Sequence, residues 1–472
     1  MGSEGITSAS ISSSAAGPLT GGVATWTGTR RELSASRARL RRLYWRRRAT
    51  VLLGVAAVLS GIGWLSAGYG SRTVVASSNR GTLLPRPIPL PSLVPALPAQ
   101  ARFAGTVPAL PIPSTGQSAV LVQGVGLLGA SPDEAPVPMA SVTKVMTAVI
   151  VLRDHPLGHG SGPTFTMTAA DNAAYLYDAS HGDSSLEVVA GERLTERQLL
   201  EALMIPSACN IADYLARWDA GSIPAFVRKM NAMAAALGLR ETHYADASGL
   251  SPGDRSTAID QAILGAYAMA VPGMISVEDH PTMTFPTGTV GGYNPALGLE
   301  GVIGLKSGFT DAAQICLVTA ARRSVGGRRF LVVSSTLGQP SSLEVAGEID
   351  LQLLNAATSD LEAWPVLHAG QSVATVVAGW SHERLDAVVT SPVTVVGWAG
   401  LGVQMVVKPS VPVEPGAGRG WQAGTTMATV EVSTPAGVQC AAAAKLNGFL
   451  PSAPTDWWSS ATDTTAGSAD RS

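Results

Sequence analysis

One stretch constrains this chain more than any other: ATVLLGVAAVLSGIGWLSAGYGS, residues 49–71, which carries no charge over 23 residues. A helix rises about 1.5 Å per residue, so about 20 apolar residues cross the hydrocarbon of a bilayer. Nine arginines (Arg30, Arg31, Arg37, Arg39, Arg41, Arg42, Arg46, Arg47 and Arg48) end where the run begins. Basic residues stay on the cytoplasmic side of a span. The N-terminus is therefore expected inside and everything after Ser71 outside. A cleaved signal peptide is the alternative. Its basic region is ordinarily short, and no clean small-x-small site follows Trp64, so an uncleaved signal anchor is expected.

The same arginines resolve the charge. Residues 1–48 hold them against Glu4 and Glu32, a net of +7; with −2 for the whole chain, residues 49–472 carry −9. Such an outer part is no nucleic-acid binder. Hydrophobic residues are 46% and charged ones 14%, enough apolar material for sizeable cores in a chain of 472 residues. Three cysteines, Cys209, Cys316 and Cys440, have neither zinc-site nor disulfide-framework spacing. The seven histidines form no HExxH. No metal or organic cofactor is expected.

The chain divides as follows. Residues 1–48 form a flexible, basic cytoplasmic tail, 49–71 the transmembrane anchor, and 72–115 a linker. Nine prolines between Pro85 and Pro113 make that linker extended and stiff. From 116 to 357 the pattern is globular. A strand is expected over 118–126 and a helix over 139–153, with apolar residues at Val142, Val145, Met146, Val149 and Ile150. Helical patterns follow at 195–218 and 223–238, then short β-runs at 302–308, 314–322 and 329–337. Helices first and antiparallel strands late predict an α/β domain of the α+β kind. Val-rich runs over 365–440 predict a small β-sandwich-like domain, and 451–472 a disordered tail.

Only five of 32 basic residues are lysines: Lys144, Lys229, Lys306, Lys408 and Lys445. Two sit in suggestive company. Ser141 and Lys144 are three apart at a helix start and share a face, so the amine reaches the hydroxyl. A serine is a weak nucleophile without an adjacent base. Lys306-Ser307-Gly308 ends a strand. Lys306 could bind a carboxylate, Ser307 could hydrogen-bond it, and Gly308 would let a substrate lie alongside as an added strand. Between them, Pro206-Ser207-Ala208-Cys209-Asn210 falls between two helices. Each stretch alone also reads as ordinary structure: a helix cap for Ser141, Ser207 or Asn210, and a solvent-facing strand lysine for Lys306.

Ser-x-x-Lys, a Ser-x-x-Asn stretch and Lys-Ser-Gly, in this order, together with PMASVTKVMTA, HYADASGLSP, STAID and IGLKSGFTDAAQICLV, resemble the low-molecular-weight penicillin-binding D-alanyl-D-alanine carboxypeptidases, a family of serine peptidases. The resemblance covers about 116–357, and the segment 365–435 is similar to the family's C-terminal β domain. It implies a β-lactamase/transpeptidase-like fold, a peptidoglycan stem peptide as substrate, and β-lactams as acylating inhibitors. Ser141 would attack the carbonyl between two D-alanines, Lys144 would take its proton, and Ser207 would relay a proton to the leaving amine. Lys306 and Ser307 would hold the terminal carboxylate beside Gly308, with the N–H groups of Ser141 and Phe309 as the oxyanion hole. One departure stands out. The family has Asn two residues after Ser207, where this chain has Cys209. Either Asn210 takes over the amide contact or it is lost. A weakened peptidoglycan-binding homologue of the same fold and a β-lactamase-like hydrolase are the alternatives, and carboxypeptidase and endopeptidase preferences stay close.

Overall fold

The computed structural model describes residues 90–454 except 382 and 413–419. The expected basic tail, the anchor over 49–71, residues 72–89 of the linker and residues 455–472 of the C-terminal tail lie outside them. Among the described residues no helix is long and apolar enough to cross a membrane.

The element order is β1 Ser92–Pro95, β2 Gln100–Arg102, β3 Gln117–Val122, β4 Gly126–Ala130, a 3₁₀ turn Ala140–Thr143 running into α1 Lys144–Asp154, then α2 Ala169–His181, α3 Glu196–Met204, α4 Cys209–Ala220, α5 Ile223–Leu237, α6 Ala258–Ala268 and α7 Met274–Glu278. There follow β5 Val302–Thr310, β6 Gln314–Val325, β7 Arg328–Gln339, α8 Leu343–Ser359, β8 Glu362–Leu367, β9 Ser372–Val377, β10 Arg384–Val389, β11 Val393–Gly397, β12 Gly402–Pro409, β13 Thr426–Thr434 and β14 Gly437–Leu446.

Five antiparallel strands form the central sheet in the order β5-β6-β7-β3-β4. Its side chains alternate between two cores, as the period of two in a strand requires. Ala119, Ala320 and Val333 enter a core shared with the helices. Their neighbours Val120, Ala321 and Val332 enter a second core, shared with α8 and the C-terminal strands. Helix α6 lies on the first face, where a Cβ at Gly265 would stand 3.0 Å from Val318 and Val333. On the other face, α8 buries Asp350, which accepts from the hydroxyls of Thr319, Ser334 and Thr336 at 2.6–2.9 Å. Strand β5 is left at one edge of the sheet.

The segment read as linker is partly sheet. The C-terminal sheet has seven strands in the order β1-β9-β10-β14-β13-β12-β2, so residues 92–95 and 100–102 supply both of its edges. Proline is tolerated on an edge, where its missing N–H costs no ladder bond; Pro95 faces Ala374 there. The five residue steps from Pro95 to Gln100 span at most about 18 Å. Seven flat strands at about 4.8 Å spacing would hold the edges about 29 Å apart. The sheet is therefore rolled towards closure. With the separate β8–β11 ladder, it completes the β-rich part that the sequence placed at 365–440.

Candidate active site

The nucleophile candidate sits where a turn becomes a helix. Ala140 takes φ +48°, and the 3₁₀ turn presents Ser141 before α1 begins at Lys144. Lys144 is fully buried. Its Nζ lies 2.9 Å from Ser141 Oγ, 3.3 Å from Cys209 Sγ and 2.7 Å from the Ser248 carbonyl oxygen. Sequence spacing foresaw the first of these contacts. The second and third join residues 65 and 104 positions apart, and no local pattern marks them.

Edge strand β5 passes across this turn. A Cβ at Gly308 would stand 2.6 Å from Ser141 N, so the approach requires glycine. Lys306 and Ser307 are buried on the same strand, and Lys306 Nζ donates to the Ser307 carbonyl at 2.8 Å. Burial first, then the charge of Lys144, pushes Lys306 down to about 7; Cys209 and Glu278 oppose this. Glu278, at the end of α7, is itself buried, and burial raises its carboxyl well above the usual range.

Residues 205–208 separate α3 from α4, and Ser207 holds φ +64°, an uncommon backbone for a residue with a Cβ. Its hydroxyl is buried without a hydrogen-bond partner. Ser141, Ser207, Cys209, Ser307, Gly308 and Phe309 all line one groove of about 530 Å³, walled also by Asp183, Ser184, Leu250 and Tyr293.

Asn210 is elsewhere, and here the sequence expectation is corrected. Helix α4 starts at Cys209, and one residue further turns a side chain about 100° around the axis. Cys209 therefore faces the groove, and Asn210 faces the preceding loop. Its Nδ2 donates to the Leu186 carbonyl at 2.9 Å, and its Oδ1 accepts from Leu186 N at 3.0 Å. Both ends of the amide are used, and none of it lines the groove. Asn210 supports the wall, since Asp183 and Ser184 of that loop line the groove.

Among the described residues no group of three His, Cys, Asp or Glu side chains could hold a metal ion. The site's chemistry is that of a serine hydroxyl against a buried amine, with strand-edge N–H groups alongside. A helix lobe packed on an antiparallel sheet, with that pair at the junction, defines the active-site-serine enzymes of transpeptidase-like fold. The same architecture occurs in penicillin binding protein 5 from Haemophilus influenzae (TM-score 0.53, 18% identity, 74% of this chain and all of that one).

Residues 113–338 match the model of the D-alanyl-D-alanine carboxypeptidase family. A D-alanyl-D-alanine carboxypeptidase from a Streptomyces sp. is 32% identical over 216 residues, 42% of this chain and 72% of that protein. D-alanyl-D-alanine carboxypeptidase DacF of Bacillus subtilis is 27% identical over 62% of this chain and 75% of its own length. The chain belongs to this family of serine peptidases.

Proposed function

We propose that this protein is a serine D-alanyl-D-alanine carboxypeptidase that trims the terminal D-alanine from peptidoglycan stem peptides outside the cell. The observation that carries the reading is the 2.9 Å contact between Lys144 Nζ and Ser141 Oγ at the floor of a groove bounded by edge strand β5. Lys144, held by the Ser248 carbonyl and by Cys209 Sγ, takes the Ser141 proton. Oγ then adds to the carbonyl carbon between the two D-alanines, and the developing oxyanion takes the N–H groups of Ser141 and Phe309. The C–N bond breaks as the Ser207 hydroxyl gives its proton to the departing amine and regains one from Lys144, which returns the proton it took from Ser141. Water hydrolyses the ester on Ser141. Lys306 and Ser307 take the substrate's terminal carboxylate, and the peptide lies along β5 as an added strand. With Cys209 in place of an amide, the groove holds the substrate without that contact.

The location belongs to the same proposal. Its support is the arginine cluster that ends where the 23-residue apolar run begins, since basic residues tend to stay on the cytoplasmic side of a span. A fluorescent penicillin tests the chemistry, because it acylates a serine of this kind through the same steps. Covalent label on the wild type and none on Ser141→Ala is expected. Equal label on both would overturn the assignment, and binding of a stem peptide without D-alanine release would favour a weakened, peptidoglycan-binding homologue.

A further inference from the structure

The loop between α5 and α6 reaches the catalytic pair through its main chain. The Ser248 carbonyl accepts from Lys144 at 2.7 Å. Gly249, at φ +88°, packs so closely that a Cβ there would stand 1.9 Å from the carbonyl oxygen of Ala140, next to the nucleophile. Thr147 of α1 donates to the Ala247 carbonyl at 2.7 Å, and two aspartates hold the turn that follows. Asp246 Oδ1 accepts from Ser248 N at 2.8 Å, Ser248 Oγ at 3.3 Å and Gly249 N at 2.6 Å, and its Oδ2 accepts from Ser251 N at 2.7 Å. Asp254 is completely buried, and its Oδ1 accepts from Ala245 N at 2.8 Å and Asp246 N at 3.3 Å. No N–H or hydroxyl reaches Asp254 Oδ2. That buried oxygen is left without a partner and feels the charge of the Asp246 carboxylate. Two carboxylates so placed would repel each other, and one proton between them removes that repulsion.

We propose that Asp254 is a positioning residue: its carboxyl keeps a proton at neutral pH, donates it to Asp246, and so locks the loop whose Ser248 carbonyl fixes the Lys144 amine. The environment agrees. Burial first, then the charge of Asp246, pushes Asp254 up to about 8. Burial alone would raise Asp246 too, but the N–H of Gly249, the Asp254 proton and the N–H groups of Ser251 and Ser248 outweigh it. The titratable groups facing the pair are Asp213, which feels Asp246 from α4, and the buried Tyr244, which feels Asp254. Neither supplies a cation to replace the proton.

The role rests on the acyl-enzyme reading of Ser141 and Lys144, and its test separates the two. Penicillin acylation rate and melting temperature are measured from about pH 6 to about pH 9.5 on wild type, Asp254→Asn and Asp254→Ala. Asp254→Ala, which leaves the Ala245 and Asp246 N–H groups and the Asp246 carboxylate without their partner, acylates about 10²-fold more slowly, the scale of an ångström of misplacement. Asp254→Asn donates an amide N–H at every pH and keeps the rate within about threefold of wild type. The sign for stability follows from linkage. A carboxyl whose folded value lies above its unfolded one stabilises while protonated, and that contribution is lost as pH rises through about 8. The wild-type melting temperature therefore falls across that window relative to Asp254→Asn. An asparagine variant as slow as the alanine variant, or one that falls with pH in parallel with wild type, overturns the proposal. If the alanine variant does not fold, the asparagine comparison decides. Absence of label on the wild type would sink the acyl-enzyme reading and leave the melting comparison to judge the pair.

Discussion

Lys144 and Lys306 share a buried site, and two amines so placed cannot both hold a proton cheaply. At Lys306 the outcome is a value pushed down to about 7. A carboxylate is bound by the charged form, so kcat/KM for a stem peptide is expected to fall as pH rises through about 7. The loss should appear mainly in KM, since a bound carboxylate returns charge to the amine. Lys306→Arg keeps its charge at every pH and should flatten this limb; initial rates against pH read both. A wild-type profile level from about pH 6 to about pH 8.5 would contradict the assignment. The scarcity of lysine made both residues legible in the sequence, because a chain that uses arginine almost throughout leaves few lysines without a reason. Cys209 beside Lys144 and the carbonyl of Ser248 were not legible. The first is a tertiary contact across 65 residues, and the second is a main-chain atom, whose place no residue type reveals.

Helix α4 shows how one residue of phase changes a role. From the sequence, Asn210 was a candidate for the substrate amide because it is the nearest asparagine to Ser207. The helix starts at Cys209 instead, so the asparagine turns towards Leu186 and closes two main-chain bonds there. Asn210→Ala should then cost about 1–3 kcal/mol, the penalty for leaving a buried N–H and C=O without partners. Denaturant unfolding measures it, and the Leu186 amide should exchange faster with solvent. A neutral effect on stability would return Asn210 to the groove. The three strands of the β5–β7 meander were readable because alternation and turn residues agree there. Strand β14 was not, since its Cys440–Leu446 stretch, CAAAAKL, has no strand preference of its own. Its place is fixed by pairing with β13, a case of tertiary context overriding local propensity.

Across the whole molecule, the back face of the catalytic sheet, α8 and the C-terminal strands share one apolar core. Phe103, just after β2, is buried in it and stacks on Trp364 with ring centroids 4.9 Å apart. Phe103→Ala is expected to destabilise the protein by about 3–5 kcal/mol, as large-to-small changes in tight cores do. Penicillin labelling at Ser141 should persist under conditions where the variant is folded, because the residue touches nothing in the groove. Denaturation curves and labelling on the same sample check both halves. The proline-rich segment was read as a spacer because composition reports stiffness and says nothing about a partner hundreds of positions away.

That pairing has a consequence for how the chain comes into being. Ser92 hydrogen-bonds the carbonyl of Val377, 285 residues on. A ribosome makes β1 and β2 long before β9 and β12, so both edges wait unpartnered while the catalytic lobe is synthesised and folds. They find their places only when nearly the entire polypeptide has emerged. A message truncated after the catalytic lobe would leave two orphan strands near the N-terminus, open to proteases, so survival of the finished protein becomes a test that its synthesis was completed.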